Sequence, residues 1–379
     1  MATIINADTS DGLKLTSDTS GEIQFQSGGT TKMTVSSSGV SGIPLGTKNR
    51  IINGNMTIDQ RNAGASVTNI SGGVFSSDRF NCYGTQATKY TVQQNAGAVT
   101  PPEGFTNYLG ATSSSAYSVL VGDWFAIRQI CEGYNVADLG WGTADAKTVT
   151  LSFWVRSSLT GTFGASIYNG IGNRSYPFTY TISVANTWEK KTVTIAGDTT
   201  GTWATTNGGS LTVNFSLGSG TTVSGTAGAW AGAFYTSATG ATSVVGTSGA
   251  TFYITAVQLE QSENATPFEN RMYSQELAMC QRYYQTISKM AGYSGPTTSG
   301  IQCSVAYPIP MRATPTMSQS SVFRFDDAAA GFTQSSTGLI LGSTNNTGTL
   351  INITNITVNG TFRPHGKANT ATLNLDAEL

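Results

Sequence analysis

From Val149 to Val155 the chain alternates strictly, with Val149, Leu151, Phe153 and Val155 on one face and Thr150, Ser152 and Trp154 on the other. A period of two lays no apolar stripe along a helix, so this segment is a half-buried antiparallel strand. The pattern returns from Leu211 to Leu217, and further strands fit Phe163 to Tyr168, Tyr176 to Val184, Thr192 to Ile195 and Thr251 to Leu259. Glycine-rich connectors such as Gly218 to Gly232 separate them. Many short strands with such turns predict an all-β fold built on a β-sandwich of the jelly-roll kind.

Composition narrows the function. Only 11% of the 379 residues are charged, against about a quarter in an ordinary globular domain, and there is one histidine beside 44 glycines. That balance suits a hydrogen-bonded surface for recognition and assembly better than acid–base chemistry. Hydrophobic residues at 39% are enough for packed cores. The net charge of −1 and the absence of a basic run leave no clustered Lys and Arg to hold nucleic acid. Met1 to Asp8 lacks a signal-peptide pattern and no stretch has membrane-span length, so a protein made in the cytoplasm without membrane insertion is expected. Cys82, Cys131, Cys280 and Cys303 stand far apart with no Cys-x-x-Cys pair, which predicts reduced thiols and no zinc site.

Three regions are expected. Residues 1–48 carry short alternating pieces, Leu13 to Leu15, Glu22 to Gln26 and Lys32 to Val35, between turn signals at Asp11-Gly12, Ser20-Gly21, Gly28-Gly29 and Ser38-Gly39. Burying Ile23, Phe25, Met33 or Val35 stabilises by about 1.5 to 3 kcal/mol each, whereas ordering each backbone residue costs about 1 to 2 kcal/mol. The segment should therefore not fold alone, and three copies around a common axis would cover its apolar face; Ile23, Phe25, Met33 and Val35 are the candidate trimerisation residues. Residues 49–270 form the sandwich. In 271–379, Tyr273, Leu277, Cys280 and Tyr284 recur at helical spacing, with Ser274 as N-cap and Gly292 closing the region. Alternation then resumes at Ile301 to Ile309, Val322 to Phe325, Leu350 to Ile353 and Ala371 to Leu375 in a distal β unit.

The run Asn49-Arg50-Ile51-Ile52-Asn53-Gly54-Asn55-Met56-Thr57-Ile58-Asp59-Gln60-Arg61, with Ser77-Asp78-Arg79-Phe80, Val257-Gln258-Leu259-Glu260, Ala265-Thr266-Pro267-Phe268-Glu269 and Cys280-Gln281-Arg282-Tyr283-Tyr284, resembles modules of bacteriophage fibre and virion-surface proteins, notably of phages infecting marine bacteria and cyanobacteria. Pro308 to Thr316 fits the same pattern. The resemblance implies a homotrimeric virion fibre: a short trimerising shaft attached to other virion proteins, a jelly roll similar to carbohydrate-binding modules, and a distal β domain meeting host surface polysaccharide. Such modules often hold a structural calcium through a glutamate shortly after an Asn-Gly pair. Here Asn53-Gly54 is followed by Asn55-Met56-Thr57, leaving Asp59, Glu260 or Asp78 to substitute, so no metal or cofactor is assigned.

Catalysis is not expected. Glycan hydrolysis needs two carboxylates flanking one bond, and the adjacent pair Asp326-Asp327 would point to opposite faces of a strand. His365, the one imidazole, lies in a turn-like Arg363-Pro364-His365-Gly366-Lys367. Sugar binding needs aromatic faces with amides or charges beside them. The candidates are Trp141, Trp188, Trp203 and Trp230, with Tyr168, Asn173, Arg174 and Tyr176 in one connector. Trp154, on the polar side of its strand, is ambiguous between solvent and a second sheet. Two readings stand: a receptor-binding fibre, and a purely structural capsid-associated fibre or spike whose aromatics pack subunits together. The leader predicts a trimer for the full chain that becomes monomeric or unstable when the chain starts at Lys48, read by sedimentation; a stable monomer in both cases would overturn the fibre reading.

Overall fold

The computed structural model describes residues 23–27, 30–36, 39–41, 47–287, 291–294, 300–319, 323–327, 332–336, 338–354 and 372–379. The chain divides into two compact units, Met1–Lys48 and Asn49–Leu379. In the first, β1 (Ile23–Ser27), β2 (Thr30–Ser36) and β3 (Gly39–Ser41) form an antiparallel sheet. Ile23 pairs with Val35, Phe25 with Met33 and Val35 with Val40, which puts these positions on one face of the ladder. Phe25 is 40% exposed. The Leu13 to Leu15 piece lies outside the described residues.

In the second unit the alternating segments become β4 (Gly72–Phe75), β5 (Asn81–Gly84), β6 (Tyr90–Gln94), β7 (Leu109–Ser113), β8 (Trp124–Glu132), β9 (Val149–Ser157), β10 (Gly161–Asn169), β11 (Ser175–Ile182), β12 (Glu189–Ile195), β13 (Gly209–Ser219), the short β14 (Ser224–Gly225) and β15 (Ser237–Ala238), and β16 (Thr251–Glu260). They make an antiparallel sandwich of six strands, β11-β10-β13-β8-β5-β4, over five, β12-β9-β16-β7-β6. The apolar faces meet between them: Leu151, Phe153, Val155, Phe163, Ile167, Leu211, Val213, Phe215, Phe252 and Ile254 are all buried in one core. Phe153 packs edge-on to Phe215 at 4.9 Å and to Tyr180 at 5.1 Å. β14 and β15 lie within the glycine-rich stretch expected to be a connector or close beyond it, and pair in parallel.

The α-helix of the described residues, α1 (Tyr273–Gln281), is capped by Met272, whose N–H donates to Gln275 Oε1, and not by Ser274. It also stops earlier than its stripe suggests. Arg282 leaves it to pair with Glu132, and Tyr284 enters β17 (Tyr284–Ile287) opposite Asp376. Gly292, expected to close the helix, sits in β18 (Ala291–Ser294). The remaining strands are β19 (Gly300–Ala306), β20 (Thr316–Gln319), β21 (Phe323–Asp327), β22 (Phe332–Ser336), β23 (Gly338–Thr344), β24 (Gly348–Thr354) and β25 (Leu373–Asp376). β25 lies between β17 and β20 in one sheet; β18-β19-β24-β23 and β21-β22 form two more. Asp326 and Asp327 take consecutive registers opposite Thr333 and Phe332, and His365 lies outside the described residues.

The Asn49 to Arg61 run forms no strand, yet its polar groups are buried and bonded. Asn49 Nδ2 donates to Val257 O at 3.1 Å, while its Oδ1 accepts from Ile51 N and Leu259 N. Asn53 has a left-handed backbone, φ 60°; its Nδ2 donates to Ile58 O and Asp78 O, its Oδ1 accepts from Ile58 N, and its N–H donates to Glu276. A Cβ at Gly54 would collide with Val257 O, so glycine is required there. Arg61 stacks 3.7 Å from the Tyr284 ring and pairs with Asp376 at 2.7 Å, and the buried Arg79 pairs with Glu378. The run thus ties sandwich, helix and C-terminal strand together.

Asp78 is part of this network. Burial pushes its carboxyl up to about 6, against the lowering bonds from Gln60 and the charge of Arg61. A raised folded-state value means that its contribution to stability is fully present below about pH 4 and is lost as pH rises through about 6. The stability gap between the native protein and Asp78→Asn should therefore shrink by up to ~3 kcal/mol between pH 4 and 7. Chemical denaturation across that range checks it, and a constant or widening gap would contradict the assignment.

Candidate functional site

Three of the four nominated tryptophans come together. Trp141, Trp203 and Trp230 pack edge-to-face at 4.8, 5.3 and 5.7 Å, with Tyr176 5.3 Å from Trp230. Beside them Arg174 makes two 2.7 Å bonds to Asp198, and Asn173 accepts from Asn169 Nδ2 at 2.7 Å. Burial by itself would raise Asp198, but the bonds from Arg174 and Thr200 hold it below its ordinary value. The indole N–H groups are engaged: Trp141 donates to Lys147 O at 2.7 Å, Trp203 to Thr200 O at 3.3 Å and Trp230 to Ala196 O at 2.8 Å. Trp141 and Trp203 are buried, so this cluster seals one end of the sandwich with little ring surface to offer a ligand.

Tyr168 goes elsewhere. Buried on the outer side of the six-stranded sheet, its hydroxyl accepts from Arg128 Nη1 at 3.0 Å. Arg128 also lies over the stacked Tyr83 and Trp124 rings, and Phe234 closes the layer from above. Asn214 beneath donates to Thr236 O at 2.7 Å, so the segment around β15 covers this face.

The outer side of the five-stranded sheet is more open. On β9 the polar face of the alternation carries Thr150 and Ser152, both buried, and then Trp154 and Arg156, which are partly exposed and with the exposed Lys190 of β12 form the open strip. Lys190 pairs directly with Trp154, and Tyr253 with Arg156. Trp188, just before β12, stands edge-on to Tyr108 at 5.6 Å and donates to Thr100 O at 2.9 Å. Gly110 makes room: a Cβ there would lie 2.6 Å from the Tyr253 ring. Trp154 is half-buried, stacks on no other ring, and its indole N–H has no acceptor among the described residues. Arg156 donates through Nε to Asn186 O at 2.9 Å, leaving both Nη groups free, and Lys190 is exposed. At the far end Thr150 and Thr194 hold the carbonyls of Ser262 and Glu263, beside an open crevice of about 380 Å³ lined by Asp145, Lys147, Gln261 and Glu263.

A planar ring flanked by unspent donors can stack on a sugar and bond its substituents. Of the nominated residues only Trp188 belongs to this strip; the sequence leaves Trp154 ambiguous and nominates neither Arg156 nor Lys190, although an aromatic on the polar side of a strict alternation is the visible signal for this face. The carboxylates considered for calcium are each engaged elsewhere: Asp59 by Asn62 N and Gly64 N, Asp78 by Gln60, Glu260 by Thr266. Among the described residues no three His, Cys, Asp or Glu side chains gather to hold a metal.

No protein-family model matches the chain, and no curated protein matches it. Among solved structures it is similar to the enzymatically active domain of bacteriophage CBA120 tailspike protein 4, at 14% identity and TM-score 0.30, over 56% of this chain and 21% of that one. It is also similar to TmCBM61, solved with β-1,4-galactotriose, at 10% identity and TM-score 0.30, over 57% of this chain and 100% of that one. A putative sugar binding protein from Bacteroides thetaiotaomicron gives 11% identity and TM-score 0.29, over 57% and 100%. At such low scores the functional reading rests on this chain's own residues.

The two aromatic sites should part on truncation. Trp203→Ala should lower stability by about 3 to 5 kcal/mol, as expected for a packed core ring, and Trp154→Ala by ~1 kcal/mol or less. Denaturant titration of both variants reads the difference, and equal losses would show that Trp154 is packing.

Proposed function

We propose that this protein is a non-catalytic virion fibre component that recognises host surface polysaccharide through the outer strip of β9 and β12. The observation that carries the reading is Trp154, a half-buried ring with a free indole donor on a sheet face, between Lys190 and Arg156. In this reading residues 1–48 join three chains and attach them to other virion proteins, consistent with the exposed Phe25 and the one-faced register of β1 and β2. The cluster of buried Trp141 and Trp203 with partly buried Trp230 favours the competing role of a purely structural fibre or spike for that end of the sandwich.

Binding separates the two. The full-length protein titrated against polysaccharides extracted from host envelopes should bind above a matched control protein, and Trp154→Ala should weaken it about tenfold, a loss of about 1.4 kcal/mol. No binding above control leaves the structural role. A fall in polysaccharide chain length during incubation would contradict the non-catalytic reading.

A further inference from the structure

Among the described residues, Arg50, Arg61, Arg79, Arg174, Arg271 and Arg282 each pair with a carboxylate. Arg156 and Lys190 do not, although both stand on the open strip. Resting on the polysaccharide reading above, we infer that the strip selects carboxylated sugars, with Arg156 and Lys190 holding the carboxylate of a residue stacked on Trp154.

The register sets the distances. Lys190 lies directly across from Trp154, so their Cβ atoms are about 5 Å apart. Arg156 is two residues along the same face, roughly 7 Å away. The two cations therefore flank one ring at the spacing of a single sugar and its neighbour. Arg156 is also pre-oriented: Nε is tied to Asn186 O at 2.9 Å, and the guanidinium carbon sits 5.3 Å from the centre of the Tyr253 ring. What remains free is the pair of Nη groups, whose planar fork matches the two oxygens of a carboxylate. Lys190 supplies an unoriented point charge, suited to whichever sugar follows. An exposed lysine is ordinary by itself; the oriented and unpaired arginine beside it, with a free indole between, is what points to an anionic ligand. The chain's net charge of −1 makes bulk attraction to any polyanion an inadequate substitute for this local arrangement.

The test uses the full-length protein and three carboxylated polymers, homogalacturonan, alginate and hyaluronan, each beside its fully methyl-esterified form, by calorimetry at 150 mM salt. At least one acidic polymer should bind ten times or more tightly than its ester. Arg156→Gln with Lys190→Gln should bring that pair to within about twofold, the acidic polymer losing at least fivefold more affinity than its ester. Arg156→Lys, which keeps charge but loses the fork, should keep part of the preference. Equal binding of every acid and ester overturns the inference and leaves polysaccharide recognition standing. A preference that survives the double substitution overturns it, as does dextran sulfate binding as tightly as the best carboxylate polymer. Binding to none of the six, nor to the extracted host polysaccharides, overturns this inference and the reading beneath it together.

Discussion

Side-chain amides stand in for a missing backbone ladder along residues 49–61, and the second unit depends on that substitution. A buried peptide group without a partner costs about 1 to 3 kcal/mol, and the backbone of β16 reaches this stretch only at Arg50, whose N–H donates to Leu259 O, and at Gly54, whose O accepts from Val257 N. Asn49 answers with bonds to Val257 O, Ile51 N and Leu259 N, and Gln129 with a bond to each of Ile52 N and Ile52 O. Once these groups are fixed, Gly54 can pass under the bulge that ends with Val257, and Arg61 and Arg79 reach the C-terminal acids. The bonds run from residues early in the unit to its last ones, so the helix and the C-terminal strand are held by the same segment that opens the sandwich.

Aromatic residues divide by what their polar atoms do. Trp141, Trp188, Trp203 and Trp230 donate their indole hydrogens to backbone carbonyls, which pins each ring in one orientation. Rings held this way and packed edge-to-face are closures, and the Trp141, Trp203 and Trp230 group closes an end of the sandwich. Trp154 has neither kind of partner and remains open to an external one. The same division applies to the cations, where carboxylate pairs build the frame and Arg156 stays outside them. Scarcity of charge makes this legible, because few carboxylates are left over to compete for a free guanidinium.

The strands were readable because their signal is local. Leu151, Phe153 and Val155 share a face by covalent geometry, and the observed β9 buries them as the alternation requires. The helix was readable in place but not in extent, since its end is set by Glu132 capturing Arg282 from 150 positions away. The Asn49 to Arg61 run was recognisable only as a pattern. No periodicity reveals that its asparagines bond to backbone around Val257, because those partners lie more than 200 positions along the chain.

By itself the sequence determined the all-β class, the faces of the main strands and the polar setting of Trp154, all of which follow from neighbours one or two residues apart. The tertiary structure decided which aromatic rings are spent. Whether an indole hydrogen finds a carbonyl, and whether a second layer covers a sheet face, depends on segments brought together from far along the chain. The segment around β15 covers Tyr168 on one sheet, whereas the strip carrying Trp154 stays open on the other. Two aromatics on similar strands therefore have opposite fates for a reason that alternation cannot encode.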